Sequence, residues 1–282
     1  MRIVLQGRWL TTGLAQQIAQ LSGAGAIEQR SPALWRFDHF TAPVSQAQRA
    51  RIRAIADAAR ADVNFIEPLR PLGSFRLVVM DMDSTLITIE CIDEIADMQG
   101  IKPQVAAITD AAMRGEIGYP ESLRQRVALL NGLDVSALER VYQERLQLSP
   151  GAGTMLAAFK SAGLKTLLVS GGFTFFTERL KARLGLDYTH SHVLGIAAGR
   201  LNGEVIGSIV DAGEKAATLA VTCAQLGCAS SDAIAIGDGA NDLQMMAIAG
   251  LSVAYRAKPV VRAQAMTALN HNGLDAVLDF FG

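Results

Sequence analysis

Cysteine is scarce in this chain: three in 282 residues, at Cys91, Cys223 and Cys228. An odd and sparse set argues against a disulfide-stapled secreted fold. Long apolar runs are missing too, and none approaches the roughly 18 residues that a membrane helix needs. The opening Met1-Arg2-Ile3-Val4-Leu5-Gln6-Gly7-Arg8 is broken too early by polar residues to read as a signal peptide. Neither sign of charge is in excess, with 26 basic against 27 acidic residues and a net charge of −1. A general nucleic-acid or membrane-surface binder would carry a basic surplus, so neither partner is expected. Charged residues are only 19% against 50% hydrophobic, which excludes intrinsic disorder. The expectation is a soluble, cytoplasmic protein of one or two domains with a small-molecule ligand.

Residues 1–70 read as a unit of their own. Strands are expected at Arg2–Leu5, Ala26–Arg30, Ala33–Phe40 and Val63–Ile66. Helices are expected at Thr12–Leu21, ended near Gly23, and from a Ser45 cap to about Ala61. The order βαββαβ is ferredoxin-like. Pro68, Pro71 and Gly73 then mark a linker. Beyond it, short apolar runs at Leu77–Met80, Thr166–Val169, Ala233–Ile236 and Leu251–Ala254 alternate with helical patterns. That alternation predicts an α/β domain with a parallel sheet. Residues 91–148 read as helices, at about Pro103–Arg114, Pro120–Leu130 and Val135–Leu146. Leu194–Ile209, with turn signals at Gly199 and Asn202-Gly203, reads as a hairpin.

Polar groups gather where the apolar runs end. Asp81-Met82-Asp83-Ser84-Thr85 follows Leu77–Met80 directly. Two carboxylates one residue apart at a strand end can reach one reaction centre, one as nucleophile and one as proton donor and acceptor. Taken alone, the same run is an Asp-rich turn. Ser170-Gly171-Gly172 follows Thr166–Val169, and backbone N–H groups there can approach an anion closely. Lys215, taken alone, reads as a solvated surface lysine. Gly237-Asp238-Gly239-Ala240-Asn241-Asp242 follows Ala233–Ile236 and offers hard oxygen ligands that suit Mg2+. Asp81, Asp83, Asp238 and Asp242 brought together would repel one another, and a bound cation and a lysine would relieve that repulsion. Mg2+, lysine and backbone donors are the parts that phosphoryl transfer uses repeatedly.

With these residues the chain resembles the haloacid dehalogenase superfamily of phosphohydrolases over about residues 75–282. The fold implied is a Rossmann-like α/β core with a helical cap inserted at about 92–148. The pattern narrows to the phosphoserine phosphatase family through Glu90 and the cap segment Met113–Val127. The resemblance implies roles for individual residues. Asp81 would be the nucleophile and Asp83 the acid and base. Mg2+ would be held by Asp81, the Asp83 backbone carbonyl and Asp238. Ser170, Gly171, Lys215 and Asn241 would grip the phosphate, with Asp242 in support. Glu90 would pair with the substrate ammonium and Arg126 with its carboxylate, beside Met113 and Tyr119. Tyr119 departs from the family's usual phenylalanine and adds a hydroxyl to the pocket wall.

Other features are read as structural. His190 and His192 lack further ligands nearby and are taken as a loop or strand segment. Cys91 is taken as a buried thiol. The small domain resembles ACT-type regulatory domains, which often bind amino acids and pair with a second copy, so a regulatory role or a homodimer is open. The rival readings are a broader phosphomonoesterase or phosphotransferase of the same superfamily and, from another class, a non-catalytic sensor. Asp81 and Asp83 are both present, which argues against the sensor.

Overall fold

The computed structural model describes residues 1–281. The small domain runs β1 (Arg2–Gln6), α1 (Thr12–Ser22), β2 (Ala24–Ser31), β3 (Leu34–Phe40), α2 (Gln46–Ala58) and β4 (Asp62–Ile66). Its antiparallel sheet has the order β2-β3-β1-β4, the expected ferredoxin-like arrangement. The Thr11 hydroxyl accepts the Leu14 N–H at 3.1 Å to start α1, and Gly23 ends it at φ 67°. Helix α2 begins in a Ser45/Gln48 capping box. It stops at Ala58, short of the expected Ala61, because the chain turns left-handed at Arg60.

Alternation along β1 divides its side chains between two cores. Ile3 and Leu5 pack under the two helices, with Ile18 and Ile52. Val4 points the other way and joins the core of the large domain, with Leu34 and Ile66. The sheet face without helices is therefore covered by the large domain, and polar bonds lock this seam. The buried Asp62 carboxylate accepts the backbone N–H groups of Asn270, His271 and Asn272 and the Asn272 side-chain amide. Asn64 bonds both the N–H and the carbonyl of Ala268. Gln6 donates to the Ala276 carbonyl and to Asp279.

The large domain opens with β5 (Leu77–Met80). Four helices follow: α3 (Cys91–Met98), α4 (Lys102–Met113), α5 (Tyr119–Ala128) and α6 (Ser136–Glu144). An antiparallel bridge, Ile87 to Leu148, ties the root of this insertion. Then come α7 (Ala152–Ser161), β6 (Lys165–Phe173), α8 (Thr174–Leu184), β7 (Tyr188–Ala197), β8 (Arg200–Ile206) and α9 (Ala212–Gln225). The chain finishes through β9 (Ala233–Gly237), α10 (Leu243–Ile248), β10 (Leu251–Tyr255), α11 (Pro259–Gln264) and β11 (Thr267–Leu269). The sheet order is β11-β10-β9-β5-β6-β7-β8, parallel except for the β7–β8 hairpin.

Strand β5 is buried on both faces, which is why it reads as an unbroken apolar run. Leu77 and Val79 pack with Leu219 of α9, whereas Val78 and Met80 face the opposite core. The connection after β5 leads to β6 on one side, and the chain returns to β9 on the other. That reversal opens a crevice at the carboxyl ends of these strands, where ligands bind in open α/β sheets.

Four details differ from the sequence expectations. Helix α3 was not singled out within 91–148, and β11 was not anticipated. The hairpin turns at Ala198-Gly199, so Asn202-Gly203 lies inside β8 rather than in a turn. Strand β6 runs on to Phe173, but its regular pairing with β7 is interrupted between Val169 and Phe173.

Candidate active site

A cavity of about 160 Å3 lies at the strand ends, lined by Asp81, Asp83, Glu90, Tyr119, Arg126, Ser170, Gly171, Asp238, Asn241 and Lys258, among others. Its floor is the loop after β5. Asp81 leaves the strand extended, and its Oδ1 accepts the Met82 N–H at 2.7 Å. The chain then makes a wide turn in which Ser84 takes a left-handed φ of 55°, and the Ile87 N–H closes on the Met82 carbonyl at 3.0 Å. A non-glycine residue in that region carries backbone strain. The turn sets both Asp81 and Asp83 on the cavity wall.

Lys215 has no exposed surface, the opposite of what an isolated lysine suggests. Its ammonium lies 2.9 Å from Asp81 Oδ1 and 2.7 Å from Asp242 Oδ1. Asp242 Oδ2 accepts the N–H groups of Asp238 and Gly239, at 3.1 and 3.0 Å. Both oxygens of Asp242 are thus engaged by protein donors. Asp81 Oδ2 has no hydrogen-bond partner among the described residues. Asp238 accepts the Thr85 hydroxyl at 3.2 Å on Oδ1 and likewise keeps Oδ2 free. Carboxylate oxygens of Asp81, Asp238 and Asp242 all lie within 4.8 Å of one another.

The second wall is the end of β6. Ser170 Oγ accepts the Gly172 N–H at 2.9 Å, which folds the Gly-Gly backbone tightly. A Cβ on Gly172 would stand 2.5 Å from Met82 Cε and 2.8 Å from Asp83 Oδ2, so a larger residue would displace both side chains of the first loop. A Cβ on Gly171 would meet the Tyr119 hydroxyl at 2.5 Å. Helix α5 supplies the roof through Tyr119, Leu123 and Arg126.

Crowded acids in a sheltered site titrate abnormally. Burial, then the charge of Glu90, pushes the Asp83 carboxyl up to about 7, against the Cys91 N–H that it accepts at 3.2 Å. Burial and the Asp242 charge push Asp238 up to about 6. Burial also pushes Asp81 upward, and Lys215 opposes it. Burial alone would lower the lysine, but Asp81 and Asp242 outweigh it and hold Lys215 firmly charged. Glu90 rises through burial, while its bond from the Ser84 hydroxyl (2.6 Å) and the charges of Lys258 and Arg126 pull it down.

The sequence-predicted residues line the cavity with three exceptions, Met113, Lys215 and Asp242, the last bonded to Lys215. Met113 is 69% exposed and does not line the cavity, because α4 ends there, away from the roof formed by α5. Lys215 does not line the cavity either and touches the chemistry through Asp81. Lys258 was missed, although it follows β10 as the other site loops follow their strands. Gly172 and Thr85 were visible inside the motifs without being assigned roles. His192, discounted as a ligand, bonds the Gly171 carbonyl from behind the wall.

Comparison with known proteins gives the family. Residues 75–250 match the model of the haloacid dehalogenase-like hydrolases. The phosphoserine phosphatase of Polaromonas sp. strain JS666 is 58% identical over 77% of this chain and 94% of its own length. The unliganded crystal structure of a probable phosphoserine phosphatase from Vibrio cholerae superposes with a TM-score of 0.84 at 36% identity, over 99% of this chain and 85% of that one. A phospho-aspartyl intermediate analogue of a phosphoserine phosphatase superposes with a TM-score of 0.69 at 35% identity, over 74% and 99% of the two chains. The chain belongs to the haloacid dehalogenase-like hydrolases.

Proposed function

We propose that this chain hydrolyses O-phospho-L-serine to L-serine and inorganic phosphate through an aspartyl-phosphate on Asp81, the closing step of serine biosynthesis. The carrying observation is the placement of an acid, Glu90, and a base, Arg126, on the wall of a cavity whose floor holds a free carboxylate oxygen beside backbone donors. Phosphoserine presents an ammonium, a carboxylate and a phosphate. Glu90 pairs with the first and Arg126 with the second, since a guanidinium grips a carboxylate with two parallel bonds. Ser170, the Gly171 N–H and Asn241 take the phosphate.

The unengaged oxygens of Asp81 and Asp238 fit a hard divalent cation, and the local surplus of carboxylates over Lys215 asks for one. We assign Mg2+, held by Asp81, Asp238 and the Asp83 backbone carbonyl. When bound, it supplies charge neutralisation and polarisation of a phosphoryl oxygen. Lys215 holds Asp81 in place, and the Asp81 carboxylate attacks phosphorus. The serine P–O bond breaks as Asp83 gives its proton to the leaving oxygen. Asp83, now a carboxylate, takes a proton from the water that attacks the aspartyl-phosphate, and the Asp81–phosphorus bond breaks. A carboxyl near 7 suits both halves at neutral pH.

Phosphate release with Mg2+ from L-phosphoserine, phosphothreonine, phosphoethanolamine and p-nitrophenyl phosphate tests the reading. A strong preference for phosphoserine is expected. It should be lost in Glu90→Gln and Arg126→Met, and Asp81→Asn should abolish all turnover. Equal turnover of all four would keep the aspartyl chemistry and reject the charge clamp.

We assign the small domain a regulatory or dimerisation role and the protein to the cytoplasm. Among the described residues no helix is long and apolar enough to cross a membrane. The helix-free sheet face of the small domain is covered by the large domain, so a second copy would meet its helices or the exposed edge of β2. Sedimentation of the full chain with and without L-serine tests the role, and a monomer indifferent to serine would sink it.

A further inference from the structure

The Ser170–Gly172 wall sits where β6 leaves its regular pairing with β7. Its backbone therefore lacks part of the ladder that would otherwise hold it. One side chain makes up the loss. His192 of β7 is 1% exposed, and its Nδ1 lies 2.9 Å from the Gly171 carbonyl. Its Nε2 lies 2.8 Å from the Val210 N–H. A backbone N–H can only donate and a carbonyl can only accept. The imidazole is thus neutral, with its proton on Nδ1, as its partners require. Burial favours the same neutral form and outweighs the backbone bonds at Gly171 and Gly172, which favour the charged one.

Its two partners belong to different halves of the anion site. Gly171 adjoins Ser170 on the wall. Val210 precedes Asp211, whose carboxylate caps α9 by accepting the Glu214 N–H at 2.9 Å. The next residue along that helix is Lys215, bonded to both Asp81 and Asp242. We infer that His192 is a positioning residue that ties the phosphate-gripping wall to the helix carrying Lys215, so that backbone donors and the Lys215–Asp81 pair face one phosphoryl group in fixed register. It does not line the cavity and acts only through the backbone at Gly171 and Val210. This rests on the reading that Gly171 and Asp81 serve a phosphoryl group.

Inorganic phosphate is the probe, so that binding is read apart from turnover. Its dissociation constant is measured by calorimetry on the Mg2+-loaded wild type, His192→Leu and His192→Asn, beside kcat and KM for phosphoserine. An asparagine amide can still donate to the Gly171 carbonyl, whereas leucine loses both bonds. His192→Leu should weaken phosphate binding and lower kcat/KM by about 100-fold, the scale of an ångström-level misplacement, with His192→Asn recovering most of the loss. A folded His192→Leu that binds phosphate like the wild type would overturn the inference. Should that variant fail to fold, 15N spectra of the wild-type imidazole decide: a proton on Nε2, or exchanging tautomers, would overturn it. A wild type that binds phosphate and ignores phosphoserine would reject the proposed substrate and leave the role of His192 to be judged on phosphate alone.

Discussion

Two regions of this molecule are built around buried aspartates, and they differ in what is left over. At the seam between the domains, Asp62 meets backbone N–H groups and an asparagine amide, so its acceptors are consumed in holding parts together. At the strand ends, Asp242 is consumed in the same way, but Asp81 and Asp238 each keep an oxygen without a partner among the described residues. A satisfied buried carboxylate is a fastener, whereas an unsatisfied one in a cavity is a reagent or a ligand. Burial alone does not separate the two, since Asp62 and Asp81 are both nearly inaccessible.

Substitutions can sharpen this contrast. Lys215→Met should have the largest effect on stability, because it leaves Asp81 and Asp242 buried without their cation. A loss of about 3–5 kcal/mol is expected in urea unfolding, together with loss of turnover. Asp62→Ala should cost about 1–3 kcal/mol by orphaning donors at the seam, yet leave kcat unchanged. A large fall in kcat there would break the comparison, since the seam would then be part of the chemistry. Tyr119→Phe removes one hydroxyl from the cavity wall, and a neutral hydrogen bond to substrate would be worth about 3- to 10-fold in kcat/KM. No change would mean that the hydroxyl makes no bond to the substrate.

The smallest effect concerns pH. The folded pKa of His192 is depressed, chiefly by burial. Its contribution to stability is therefore present above the unfolded value near 6.5 and lost as pH falls through the folded value. His192→Asn should flatten that part of the melting-temperature profile on the acid side. A profile identical to the wild type would show that protons reach the ring without disturbing the fold.

Much of the site was legible because its motifs end apolar runs, and a parallel sheet gathers strand ends in one place. Asp81, Asp83, Ser170 and Asp238 could be read from that rule. Lys258 obeys it as well, but Arg256-Ala257-Lys258 carries none of the acids or glycines that mark the other loops. Met113 illustrates the reverse. It lies in the cap segment that resembles the family, but which side of a cap helix faces the core depends on packing that one sequence does not encode locally. The burial of Lys215 and the bonds of His192 were not legible locally, for a common reason. Base rates describe a residue type alone, and both depend on partners more than ten residues away. In the fold, the small domain was readable from its periodicity and caps. The short β11 was not, since three residues carry no period.

The seam also orders events in time. Gln6 bonds a carbonyl 270 residues downstream, and the outer face of β1 is closed by residues near 275. A chain leaving the ribosome presents this sheet early, with Val4, Leu34 and Ile66 bare on one side. Translation at roughly 5–20 residues per second keeps them bare for some tens of seconds at the slower rate. The first unit to take shape is thus among the last to be sealed. Until then its apolar face is open to whatever binds nascent chains, and a chain cut short before residue 267 would keep it open.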